Sequence, residues 1–161
     1  MPIRSATEAD RDAIWAILEP MIRAGETYPL PRNMSREEAF AFWFSLEKDV
    51  YVFVEDGHVL GTYFLKANQQ GGGAHVANCG YVTSLAAQGR GIARTMCLHS
   101  LERAKERGFR GVQFNFVVSS NTRAVKLWSS LGFETVGRLP EVFAHPKLGF
   151  VDALVMYRQI R

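Results

Sequence analysis

Two cysteines, Cys79 and Cys97, are all that this 161-residue chain contains. They form no C-x-x-C pair and no ligand cluster with the four scattered histidines, so neither a zinc site nor a disulfide framework is expected. Both lie in apolar runs and read as reduced core residues. No apolar run approaches the ~18 residues a membrane span needs. The first twelve residues are charged and carry no apolar segment, so no secretory signal is expected, and the cytoplasm is the expected compartment. The net charge is only +3, with acids and bases interspersed, which argues against nucleic acid as a partner. Low-complexity tracts and internal repeats are absent, and length and composition fit one domain over 1–161.

What is present alternates between helical and strand patterning. Residues 3–5 read as a short strand. A helix opens at Thr7, with Asp10 three residues on. It carries Ile14, Ile17, Leu18, Met21 and Ile22 on one face, and Pro20 is expected to bend or end it. Ser35 and Glu38 form a capping-box signature before a helix expected to bury Phe40, Trp43 and Phe44. Residues 50–54 and 58–66 read as a hairpin through Asp56-Gly57. A third strand follows over about 75–83, then a glycine-rich turn and a helix to about Arg107. Residues 112–118 form a strand, and Asn121 caps a short helix whose apolar face is Ala124, Leu127, Trp128 and Leu131. Strands over 134–139 and 150–157, joined by a loop at 140–147, close the chain. The expected class is α/β: a mixed, mostly antiparallel central sheet with helices on both faces.

The glycine-rich turn is the first motif with chemistry in it. Walker A needs a G-K-[ST] ending that the chain lacks. The dinucleotide fingerprint needs a third glycine where Arg94 stands. What remains is Gln88-x-x-Gly91-x-Ala93 between a strand and a helix. A helix start offers unpaired N–H groups and a positive dipole end, and missing Cβ atoms let a pyrophosphate approach them. Gln88 adds a donor, and Arg90 or Arg94 adds charge.

This turn resembles motif A of the GCN5-related N-acetyltransferase (GNAT) superfamily. Asn121-x-x-Ala124-x-x-Leu127-Trp128-x-x-x-Gly132-Phe133 is similar to its motif B at the family's spacing. The resemblance covers nearly the whole chain. It implies the GNAT fold, with acetyl-CoA as co-substrate held by Gln88, Gly89, Arg90, Gly91, Ile92 and Ala93. Asn121 and Trp128 would lie against it. The backbone of Val82, Thr83 and Leu85 would pair with pantetheine and supply oxyanion donors. The implied activity is transfer of acetyl to a small-molecule amine by direct attack on the thioester. Two departures stand out. Many relatives have an acidic tyrosine where Trp128 stands, and many have a glutamate on the preceding strand, where residues 77–82 hold no carboxylate.

A narrower resemblance rests on Gly25 to Pro29, Asn78, residues 113–118 and Asn121. These look like the GNAT subgroup containing the yeast enzyme that acetylates azetidine-2-carboxylate and other proline analogues. It implies an amino-acid-like acceptor. Its carboxylate would be held by Asn78 and the backbone of Asn115 and Phe116, with Asn121 positioning the reacting groups. Asn78 and Asn121 are thus the candidate catalytic residues. Asn115 and Asn78 are also unusual residues for strands. Tyr28 and the loop around Phe143 and His145 are placed as walls of the acceptor pocket. Two other readings stay open: a non-catalytic acyl-CoA-binding module, and an acetyltransferase for protein or peptide amines. Oligomeric state is also open, with a homodimer as one possible assembly.

Overall fold

The structure, a computed structural model, describes residues 2–160. Its seven strands are β1 (Ile3–Ser5), β2 (Asp49–Glu55), β3 (His58–Ala67), β4 (Val76–Thr83), β5 (Gly111–Val118), β6 (Glu134–His145) and β7 (Gly149–Gln159). They form one sheet in the order β1-β2-β3-β4-β5-β7-β6. Every pairing is antiparallel except β4 with β5. Helices α1 (Arg11–Ala24) and α2 (Arg36–Trp43) cover one face, and α3 (Ile92–Glu106) and α4 (Thr122–Ser130) the other. The mixed, mostly antiparallel sheet between two helical layers is the architecture expected from the sequence.

Each face has its own core. On the α1/α2 side, Ile14, Leu18 and Trp43 pack on Val52 and Phe64. The Trp43 indole donates to Thr62 Oγ1 (3.2 Å), which in turn donates to the Tyr51 carbonyl (2.8 Å), so both buried polar groups are satisfied. On the α3/α4 side, Met96, Cys97 and Leu101 pack on Leu65, Val112 and Met156. Burial pushes the Cys79 and Cys97 thiols up to about 12 and 11, so both stay protonated packing groups.

Two local expectations are corrected. Pro20 neither ends α1 nor shortens it: the helix continues to Ala24 and stops at Gly25, whose φ is 63°. Proline removes a bond to the carbonyl four residues back, and that residue, Ala16, is exposed, so water can satisfy it. The loop expected at 140–147 is mostly strand. β6 runs on to His145 through two register shifts. Asp152 across the ladder holds this irregular stretch, accepting from Arg138 Nη1 (2.8 Å) and from the Glu141 N–H (2.9 Å), with Glu141 at φ 52°. A smaller correction is Phe44, which is half-buried at the C-cap of α2.

The N-terminal strand is tied to the first helix by a nearly buried carboxylate. Asp10 accepts from Arg4 Nη1 (2.7 Å), Arg4 Nη2 (2.9 Å) and the Thr7 N–H (2.7 Å). The Arg4 guanidinium is the main cause that holds the Asp10 carboxyl down at about 2, below an unfolded value near ~3.9. A depressed pKa stabilises the fold above the unfolded value and loses that contribution as pH falls toward the folded one. Half of Arg4 is exposed, so the contribution is about 1–2 kcal/mol. Asp10→Asn is expected to lower stability by that amount at pH 7 in denaturant melts. The gap from the native protein should narrow between pH 4 and pH 2; a gap independent of pH would disprove the linkage.

Candidate active site between strands β4 and β5

The parallel strands β4 and β5 are in register only at Val76–Gly111 and Ala77–Val112. Beyond these pairs they part. A bulge helps turn β5 away: three steps from Phe114 to Val117 face two on β7, leaving Asn115 and Phe116 in the irregular stretch. A cavity of about 1040 Å³ fills the gap, at the upper end of the ~300–1,000 Å³ common for ligand sites. One arm reaches the α1–α2 loop at Glu26 and Tyr28, and the other reaches the starts of α3 and α4.

The start of α3 has the glycine turn and the open helix end read from the sequence. Leu85–Ala87 form a 3₁₀ turn, then Gly89 (φ 81°) and Gly91 (φ 79°) lead into Ile92. The helix's own ladder begins with Thr95 N–H to the Gly91 carbonyl (3.0 Å), so the amides before it are open. A Cβ added at Gly89 or Gly91 would meet nothing within 4 Å. The space over these amides is therefore free for a pyrophosphate, and Gln88, Ala93 and Arg94 line it. Arg90 differs from expectation. Its guanidinium pairs with Glu55 at the end of β2, and Arg90 is not among the residues that line the cavity. Arg94 lies on the cavity wall, 3.4 Å from Ser130 Oγ.

The backbone exposed in the gap is also corrected. Ser84 N–H bonds the Leu60 carbonyl and Asn68 N–H bonds that of Val76. With the unbroken register between them, even-numbered residues of β4 turn their amides to β3. Val82 is therefore engaged by β3, and its N–H is not available in the gap. Tyr81 and Thr83 face the gap instead. Tyr81 was missed because motif and composition do not reveal which way an amide points; only the register does. Leu85 lines the cavity with its side chain exposed.

The predicted acceptor residues gather on the α1/α2 face. Asn78 Nδ2 donates to the Gln113 carbonyl (2.9 Å), spanning the strands near the point where they separate. Asn115 is exposed; it accepts from Gln113 Nε2 (2.8 Å) and donates to Asn68 Oδ1 (2.6 Å). Asn78 and Asn115 are thus linked through Gln113. Phe116 is half-buried against Phe143, with ring centroids 6.1 Å apart. Glu26, passed over in the sequence, is the one acid lining the cavity among the described residues, and Lys147 Nζ lies 3.5 Å from it. His145 is not aimed at chemistry: its Nδ1 accepts the Lys147 and Leu148 N–H groups (3.1 and 3.2 Å) and closes the β6–β7 turn.

Asn121 caps α4, accepting from the Ala124 N–H at a long 3.4 Å, and it lines the cavity. Trp128 is both core and wall, 5.1 Å from the Tyr81 and Phe114 rings and lining the cavity. Tyr28 ends inside the gap. The Tyr81 N–H donates to its hydroxyl (2.9 Å), and the hydroxyl donates to the Tyr81 carbonyl (3.3 Å). Burial of that end pushes the phenol well above its usual pKa, so it keeps its proton.

Among the described residues no cluster of histidine, cysteine or carboxylate could hold a metal ion, and no helix is long and apolar enough to cross a membrane. The site therefore combines an open helix start, a gap where β4 and β5 do not pair with each other and a polar arm beside the α1–α2 loop.

Comparison with known proteins matches this geometry. The family model described as Acetyltransferase (GNAT) family matches residues 15–133. A solved GCN5-related N-acetyltransferase from Kribbella flavida is 41% identical, with 98% of this chain and 96% of that chain covered and a TM-score of 0.94. The N-acetyltransferase aca1 of Schizosaccharomyces pombe is 29% identical, over 83% of this chain and 72% of that protein. The structure of yncA, a putative acetyltransferase from Salmonella typhimurium with its cofactor acetyl-CoA, shares the fold. It is 24% identical, covers 99% of this chain and 93% of that one, and has a TM-score of 0.85.

Proposed function

Because this chain belongs to the acetyltransferase (GNAT) family and is an acyltransferase that uses acetyl-CoA as co-substrate, we propose that its acceptor is a small amino-acid-like amine. The observation that carries this reading is the acceptor arm. It is walled by the α1–α2 loop and holds Asn78, which bridges to β5 at the strand separation. Asn78 and the bulged backbone at Asn115 and Phe116 would hold a carboxylate, and Glu26 would attract the acceptor's ammonium group. Gly25 to Pro29, with Asn78 and Asn121, support a proline-like compound as that acceptor.

In the proposed mechanism the α3 amides of Ile92, Ala93 and Arg94 hold the pyrophosphate, with Gln88 and Gly91 shaping the cradle. Tyr81 and Thr83 pair with pantetheine as an added strand would. Trp128 packs beside it. The cavity has no acid positioned as the tyrosine of many relatives is, and a thiolate with pKa near ~8.5 leaves without one. The amine reaches the thioester as the free base, its proton passing to water, with Glu26 the nearest carboxylate along the acceptor arm. Exposed Val136 and Val142 on β6, Leu148 in the following turn and Phe150 on β7 support a homodimer through this edge, which sedimentation would reveal.

CoA release followed with a thiol reagent, over a panel of amino acids, peptides and simple amines, tests the reading. Turnover should be fastest with small amino acids carrying a free carboxylate. Asn78→Ala should raise KM for that acceptor about tenfold, the value of one hydrogen bond to a charged group, and leave acetyl-CoA affinity unchanged. Preference for peptides, or acetyl-CoA binding without turnover of any amine, would overturn the small-acceptor assignment.

A further inference from the structure

The Tyr28 hydroxyl sits where the reaction will need help. In a GNAT-type transfer the thioester oxygen must find a donor among the β4 amides that face the gap. Tyr81 is one of the odd-numbered residues so oriented. Its N–H is already occupied by a phenol delivered from the α1–α2 loop. The phenol's own proton rests on the Tyr81 carbonyl at 3.3 Å, a long and therefore weak contact. Gly80 makes the approach feasible, since a Cβ there would lie 2.9 Å from the Tyr28 hydroxyl. A long-range arrangement of this kind, 53 residues apart in sequence, joins loop to strand at one point of the cavity.

We propose that Tyr28 is a catalytic residue, a second oxyanion donor that works with the Tyr81 N–H. This deepens, and rests on, the acetyl-transfer reading of the cavity. With acetyl-CoA bound, the thioester oxygen takes over the Tyr81 N–H. The phenol shifts by about one hydrogen-bond length, ~3 Å, and turns its proton from the Tyr81 carbonyl to that oxygen. The acceptor's lone pair then forms the C–N bond, and the carbonyl π pair moves onto oxygen. The resulting oxyanion accepts from Tyr81 N–H and Tyr28 O–H. Its collapse restores C=O and breaks the C–S bond, and CoA leaves as thiolate. The ammonium proton passes to solvent. Tyr28 neither gains nor loses a proton, consistent with a phenol that burial keeps protonated. Loss of one oxyanion donor typically costs ~10²–10³ in rate.

The second donor also bears on Trp128. Where the sequence lacks the tyrosine of many relatives, the phenol enters from the opposite face of the sheet. It is placed at the oxygen and not at the sulfur.

Tyr28→Phe keeps the ring and its packing and removes only the hydroxyl. The single-turnover rate of acetyl transfer should fall about 100-fold. Acetyl-CoA affinity should stay within about twofold. The infrared carbonyl band of bound ¹³C-acetyl-CoA, read without acceptor, should move to higher wavenumber as one hydrogen bond is lost. A wild-type rate with an unmoved band would overturn the proposal, as would an unchanged rate with tighter acetyl-CoA binding, the signature of a hydroxyl that merely plugs the empty gap. If the native protein turns over no amine, the acetyl-transfer reading fails, and the carbonyl band of the bound donor still decides whether Tyr28 touches its oxygen. If acetyl-CoA does not bind at all, both fall.

Discussion

Replacing Gly91 by valine is expected to weaken acetyl-CoA binding at least about 100-fold in calorimetry, the largest effect foreseen for a single side chain outside the core. Two causes act together. Gly91 lies at φ 79° and ψ 13°, a left-handed conformation that costs an L-residue ~1–2 kcal/mol and a β-branched one more. Its absent Cβ also faces open space over the free amides of α3. Because no protein atom competes for that space, the valine side chain would stand where the pyrophosphate must sit. Loss of two charge-assisted hydrogen bonds at ~1.5–3 kcal/mol each accounts for 3 kcal/mol or more, beyond 100-fold. Gly149→Val is the control. Gly149 has φ 78° and equally open surroundings, but it is the first residue of β7, outside the residues that line the cavity. Both variants should lose several degrees of Tm, and only Gly91→Val should lose acetyl-CoA. An unchanged Kd would remove the α3 start as the pyrophosphate site.

How far the sequence carried can be seen residue by residue. The glycine turn before α3 was legible because its determinants are local: two glycines and a helix start lie within ten residues. The order of elements along the chain and the apolar faces of α1 and α4 followed from periodicity and turn chemistry, while the order of strands in the sheet came from the fold. Pro20 misled because its cost depends on whether Ala16 can reach water, a tertiary property. The irregular half of β6 was illegible because Pro140 and a left-handed Glu141 read as loop, while Asp152, which holds them, is supplied by another strand. Arg90 counted as a phosphate ligand by proximity, and Glu55, 35 residues away, claims it. Val82 and Tyr81 exchanged places for the same kind of reason. Which amide faces the gap is fixed by the β3–β4 register, and one residue of offset reverses it. The acceptor asparagines stood out as poor strand formers. Their arrangement about Gln113, and the reach of Tyr28 into the gap, required the fold.

Asn121 illustrates how a structural and a chemical role can be separated at one position. As the N-cap of α4 it should be worth ~1 kcal/mol or less, because its bond to the Ala124 N–H is stretched to 3.4 Å. For a domain of this size that is ~2–4 °C in Tm. If its amide also orients the reacting groups across the cavity it lines, Asn121→Ala should lower kcat about 100-fold, far more than so small a loss of stability can explain. Asn121→Asp discriminates further. Aspartate caps a helix as well as asparagine and adds a favourable charge at the positive end, so Tm should return to the native value or above it. The same change removes the Nδ2 donor and brings a carboxylate toward a bound anionic cofactor and a developing oxyanion. Activity should therefore stay low while stability recovers. Recovery of both in Asn121→Asp would reduce Asn121 to a cap. Recovery of stability alone would place its amide in the reaction, on the opposite side of the gap from the Tyr28 loop.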